Sequence, residues 1–92
     1  MEELKFHLKK NDTYEPWGFG IVGGADFSFP VKIVKLKING EAAKCGLRAN
    51  DVITKVNEES INDLKSKEVT NKILDSGNVL ELTVRRFPEL KF

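Results

Sequence analysis

The chain has 92 residues, 40% of them hydrophobic and 32% charged, which suffices for one modest core and a solvated surface and is too short for two domains. Its 15 basic and 14 acidic residues are interspersed to a net charge of +1, arguing against nucleic acid or an anionic membrane as the main partner. A single cysteine, Cys45, excludes an internal disulfide and a zinc cluster, and no apolar run approaches the roughly 20 residues of a membrane span.

Leu4, Phe6 and Leu8 alternate with Lys5, His7 and Lys9, predicting a half-buried strand over 3–10. The turn-forming run NDTYEP follows, and FGIVGG then reads as a second strand. Val31, Ile33, Val34, Leu36 and Ile38, threaded with lysines, predict a third over 31–38, closed by Asn39-Gly40. EAAKC suits a helix of one or two turns stopped by Gly46. Val52, Ile53 and Val56 form a strand entered through Asn50, a residue that tolerates positive φ, and a very short strand is expected near Glu59-Ser60.

From Asp63 to Ser76 the spacing becomes helical, with Leu64, Val69, Ile73 and Leu74 near one face, until Gly77 stops it. A last strand spans 79–86. Strands interrupted by two helices define an α+β fold of five to six strands with one short and one long helix. The domain is expected over residues 1–86, with a tail at 87–92.

The glycines of PWGFGIVGG narrow the function. A glycine-rich turn can direct successive backbone N–H groups at an anion, either a phosphate or a carboxylate. Phosphate loops open a helix and carry other glycine spacings, whereas this stretch runs into a strand. The alternative is a loop presenting the amides of Trp17, Gly18 and Phe19 to a peptide carboxylate, beside a sheet edge to which the peptide adds as a strand. Pro16 has no N–H and shapes the turn, while Trp17, Phe19 and Ile21 would line a pocket for the last apolar side chain.

At these residues the chain resembles the PDZ domain, whose carboxylate-binding loop commonly reads Gly-Leu-Gly-Phe and is followed by a short strand and often Gly-Gly. Pro16, Trp17, Gly18 and Phe19 take the place of the loop, Gly20, Ile21, Val22 and Gly23 that of the groove strand. NGEAAKCGLRANDVITKVN is similar to the family's stretch around its short helix and fourth strand, with Asn50 where glycine is usual. The wording around Trp17, Asp26-Phe27 and Pro30 is narrower, and resembles the ALP/Enigma PDZ-LIM group of actin and Z-disc proteins that bind α-actinin. A LIM domain is excluded from this chain by its lone cysteine, so it reads as an excised module or a short relative.

The resemblance implies a partly open β-barrel or sandwich in which the long helix forms the second groove wall. Its groove-facing positions fall at Ser66, Thr70 and Ile73, spaced by four and three and so on one face. Ser66 replaces the histidine that many members use to bond a Ser or Thr third from the peptide's end. The expected ligand therefore ends in a bulky apolar residue, with a small polar or apolar residue two places earlier.

The chain's own Leu90-Lys91-Phe92 has that form and is a candidate ligand for a neighbouring molecule. His7 reads as a solvated strand residue, and no nucleophile, base and acid are spaced as a catalytic set. The expectation is a non-enzymatic adaptor that binds the C-terminal tails of proteins, α-actinin among them. It would be cytoplasmic and cytoskeleton-associated, and need neither cofactor nor metal. The alternatives are a regulatory PDZ domain of a larger enzyme and an inositide- or phosphate-binding surface built on lysines.

Overall fold

The computed structural model describes residues 2–87. Its elements are β1 (Glu2–Lys9), β2 (Gly20–Val22), β3 (Lys32–Val34), α1 (Glu41–Cys45), β4 (Val52–Val56), β5 (Glu59–Ser60), α2 (Ser66–Leu74) and β6 (Val79–Arg86). The antiparallel sheet runs β1-β6-β4-β3-β2, with β5 paired to β4 off this path. This is the α+β architecture with six strands and two helices that the residue pattern predicts.

The alternation in β1 and β6 explains their pairing. Leu4, Phe6 and Leu8 oppose Val84, Leu82 and Leu80 on one face, and the three β6 residues are wholly buried. Ile33 of β3, Ile53 and Val56 of β4, and Val69 and Ile73 of α2 complete the core. Val69 and Ile73, four apart, are the turn-to-turn neighbours that fix the inner face of α2. Leu74, expected near that face, is 69% exposed instead.

Two elements are shorter than predicted, each for a non-local reason. The helix expected from Asp63 begins at Ser66. Ala25 N–H donates to the Leu64 carbonyl at 2.9 Å, removing an acceptor that the first helical turn would use, and Leu64 N–H closes a turn on Ile61 at 3.0 Å. The strand expected over 31–38 keeps its sheet geometry only from Lys32 to Val34, because Lys35 adopts φ +51° and the chain turns away. The departing segment holds the loop before β2: Lys37 N–H donates to Gly18 C=O at 2.7 Å and Ala42 N–H to Trp17 C=O at 3.0 Å.

Asn50 has φ +73°, the left-handed geometry that its side chain tolerates. β2 ends at Val22, since Gly23 and Gly24 take φ +94° and +137°. A Cβ on Gly23 would come within 2.2 Å of the Pro30 carbonyl oxygen.

Candidate functional site

β2 lies at one end of the sheet, and the direction of its backbone groups follows from β3. Ile33 gives its N–H to Asp51 C=O and accepts from Asn50 N–H, so its polar groups face β4. Lys32 and Val34 therefore face β2, where they pair with Val22 and Gly20. Ile21 is left with its N–H and C=O pointing outward, toward α2. Among the described residues, no strand pairs with that edge.

The loop before β2 is oriented by the same reasoning. A trans peptide unit aims its C=O and its N–H in opposite directions. The Trp17 and Gly18 carbonyls are drawn inward by Ala42 and Lys37, so the N–H groups of Gly18 and Phe19 point away from the body of the protein. Among the described residues, none of the Trp17, Gly18 and Phe19 amides donates a backbone hydrogen bond. Gly18 has φ +89°, and a Cβ there would lie 3.2 Å from Gly40 Cα, so loop and support pack too closely for a side chain.

A groove of about 610 Å³ opens between this loop, β2 and α2. Of the sequence-predicted site residues, Pro16, Trp17, Gly18, Phe19, Gly20, Ile21, Thr70 and Ile73 line it. Val22, Gly23 and Ser66 do not. Val22 is exposed, Gly23 is buried just past the end of β2, and Ser66 opens α2 one turn before Thr70. A Cβ on Gly24 would lie 2.7 Å from Ser66 N, and Ser66 N–H donates to Asp26 Oδ1 at 2.9 Å, so the β2–β3 loop and the start of α2 are pinned together. Trp17 has two roles: it is only 6% exposed and belongs to the core, yet it also borders the groove.

Other groove residues were missed from sequence. Leu74 adds an exposed apolar wall, and Lys10 and Lys37 bring positive charge to the loop alongside the acidic Glu15. Lys10 Nζ lies 4.3 Å from the Trp17 ring centroid and donates to Glu15 C=O at 2.6 Å. Lys10 and Lys37 are distant from the glycine motif in sequence and reach it only through the fold. The spacing of Leu74 one residue after Ile73, on a helix whose next turn ends, was the available signal for its outward position.

Among the described residues, no cluster of His, Cys, Asp and Glu could hold a metal ion. His7 lies 3.3 Å from Glu81 on the solvent side of β1 and does not line the groove. Burial pushes the half-buried Cys45 thiol above its ordinary range, and its Sγ donates to Ala42 C=O at 3.1 Å. Among the described residues, no helix is long and apolar enough to cross a membrane. Leu90, Lys91 and Phe92 lie outside the described residues.

A sheet with a glycine-supported amide loop and an outer strand facing a helix defines a protein-interaction module. The family model of the PDZ domain matches residues 5–85, and the chain belongs to that family. Over 83 residues it is 31% identical to PDZ and LIM domain protein Zasp of Drosophila melanogaster, covering 90% of this chain and 4% of that protein. Over 71 residues it is 39% identical to PDZ and LIM domain protein 2 of Bos taurus, covering 77% of this chain and 20% of that protein. PDZ and LIM domain protein 7 of Xenopus laevis is 36% identical over 87 residues, covering 95% of this chain and 20% of its own. The chain thus spans a fifth or less of the length of these relatives.

Proposed function

We propose that the chain binds the C-terminal tails of proteins by adding them as an antiparallel strand to β2, with the terminal carboxylate held by the amides of Trp17, Gly18 and Phe19. The observation that carries this reading is the outward direction of the Gly18 and Phe19 N–H groups, enforced by the inward bonds of the preceding carbonyls. The Ile21 N–H and C=O, facing α2, supply the next strand-like bonds. Phe19, Ile21, Ile73 and Leu74 receive the last side chain, which should therefore be apolar and bulky. The geometry favours a micromolar ligand, roughly −8 kcal/mol, because few residues make the contacts.

The likeness to PDZ and LIM domain proteins supports a cytoskeletal adaptor role, with the α-actinin tail as the first partner to test. The experiment is fluorescence anisotropy with an α-actinin C-terminal peptide as free acid and as amide, beside an array of other C-terminal tails. Carboxylate capture requires the amide to bind at least tenfold more weakly. Equal binding of the two forms overturns the mechanism. Loss of the α-actinin peptide alone, with other acids still bound, overturns only the partner.

Lys10, Lys35 and Lys37 on the groove wall favour a second reading, an inositide or other phosphate seated on the same loop. Soluble inositol phosphates would then compete with the peptide, and their affinity would fall steeply with salt.

A further inference from the structure

The sheet has a second end. We propose that β1 is a self-association surface on which a second copy of this chain pairs, antiparallel, in one register centred on Phe6.

The direction of the β1 backbone follows from β6. Lys10 N–H donates to Asn78 C=O at 3.0 Å, in line with the register that pairs Lys9 with Val79. The even-numbered residues of β1 therefore exchange bonds with β6. The far side of β6 agrees: Glu81 C=O accepts from Asn57 N–H, and Thr83 C=O from Thr54 Oγ1, so its odd residues face β4. Glu3, Lys5, His7 and Lys9 thus point their N–H and C=O groups outward along eight residues of edge. Among the described residues, no strand pairs with this edge.

A second copy must satisfy three conditions at once. Its outward groups must meet outward groups, so odd residues pair with odd. Its core-facing side chains must meet core-facing ones, since a slip of one residue would turn every side chain to the wrong face. Its charges must be opposite. Edges carrying like charges repel such pairing, but here the signs are segregated, with Glu2 and Glu3 at one end and Lys9 and Lys10 at the other.

A register centred on Leu4 also sets Glu3 against Lys5 but leaves Leu8, Lys9 and Lys10 unpaired; the register centred on Phe6 meets all three along the whole of β1. It sets Glu3 against Lys9 and Glu2 against Lys10, twice each by symmetry, and continues the apolar row with Leu4 against Leu8 and Phe6 against Phe6. Leu4 and Phe6 are the half-buried members of that row, and this pairing covers them further. Lys5 meets His7, and Glu81, at 3.5 Å and 3.3 Å from the two side chains, balances that contact. The registers centred on Lys5 or His7 instead set Lys5 against Lys5 or against Lys9. Pairing consumes both β1 edges and closes as a two-fold dimer, leaving β2 and its groove at each outer end. Two linked tails could then engage one dimer with enhanced avidity.

Sedimentation equilibrium at low salt, up to millimolar chain, tests this on the full chain and on a form lacking Leu90, Lys91 and Phe92, which separates the edge from tail binding in a neighbour's groove. A reversible dimer is expected in both forms. Glu3→Lys should weaken it at least about tenfold by turning two attractive pairs repulsive, Lys9→Glu likewise, and the double variant should restore it. In spectra recorded across the concentration series, the Glu3, Lys5, His7 and Lys9 amides should gain protection from exchange while even-numbered ones keep theirs. A chain that stays monomeric, a dimer indifferent to Glu3→Lys, or a double variant that fails to recover overturns the proposal.

Discussion

Asp26 Oδ1 accepts a 2.9 Å hydrogen bond from the backbone N–H of Ser66, forty residues further along the chain. It supplies a carboxylate to the start of α2, where helical N–H groups have no internal partner and the helix dipole favours negative charge. Glu68 Oε1 satisfies a second such donor, Lys65 N–H, at 2.9 Å. With the Ala25–Leu64 bond, Asp26 ties the β2–β3 loop to the start of α2, the helix that forms one wall of the groove.

Asp26→Ala is therefore expected to lower stability by about 1 kcal/mol and to weaken peptide binding several-fold, although Asp26 does not line the groove. Asp26→Asn, which keeps an acceptor oxygen, should recover part of both effects. Thermal melts and anisotropy titrations on the two variants check this. Unchanged affinity in a destabilised Asp26→Ala would show that the tie supports the fold but does not set the groove.

Gly18 is expected to be intolerant of any side chain. Holding a non-glycine residue at φ +89° costs roughly 1–2 kcal/mol, and the added Cβ also presses on Gly40 Cα. Gly18→Ala should reduce affinity for every ligand, and Gly18→Val, with a branched Cβ, should reduce it more. Both should spare β1 and β6, so residual folding by circular dichroism with loss of binding is the diagnostic pair of measurements.

Much of the fold was legible because its signals are local. The alternation in β1, the branched residues of β4 and β6, and Gly46 each act on neighbours in sequence. Errors arose where a distant backbone group intervened. The Leu64 carbonyl is claimed by Ala25, so α2 starts three residues later than its pattern suggests, and Lys37 turns out of β3 to hold Gly18. In the groove, the glycine motif marks the loop, but Lys10 and Lys37 come to it through sheet pairing and a turn that no local pattern announces. Trp17 has an apolar ring that fits core and pocket alike, and periodicity cannot say how it is divided between them.

Lys10 should tune affinity electrostatically. It is one of three lysines on the groove wall, and a carboxylate at the loop lies in their combined field. Lys10→Ala is expected to weaken free-acid peptides by roughly two- to fivefold at low salt, the scale of an exposed charge pair, with the difference shrinking as salt rises. Peptide amides should respond much less. A salt-independent loss would instead point to the packing of the Lys10 stem on Trp17.

Ser66→His tests the wall beyond the cavity. An imidazole reaches further than a hydroxyl, and Ser66 lies one turn before Thr70 on the same face of α2. The expected result is a gain of about 1 kcal/mol, the worth of one added hydrogen bond, for peptides with Ser or Thr third from the end, and no gain for those with Ala or Val. If all peptides respond alike, the third-from-last side chain does not reach Ser66 and is read by Thr70 alone.

Asp51 and Arg86 join the start of β4 to the end of β6, and their removal should be the most damaging polar change. Arg86 Nε and Nη2 meet the two Asp51 oxygens at 2.9 Å and 2.7 Å, Arg48 N–H adds a third bond at 3.0 Å, and Asp51 is only 2% exposed. The Asp51 carboxylate raises the Arg86 pKa further above its already high value, so the guanidinium stays charged throughout the accessible pH range. Losing one partner strands the other charge, which costs about 3–5 kcal/mol for a buried pair. Arg86→Met should approach that figure, because it leaves the Asp51 carboxylate, only 2% exposed, without its cation, even though the apolar replacement can still pack on Phe6, whose ring centroid is 5.6 Å from the guanidinium carbon. Asp51→Ala should lose less, because the Arg86 it leaves lies nearer solvent and still donates to Gly46 C=O, although the Arg48 N–H loses its acceptor. Equal and small losses in urea titrations of the two variants would mean that the pair is screened by water and contributes little to holding the two strands in register.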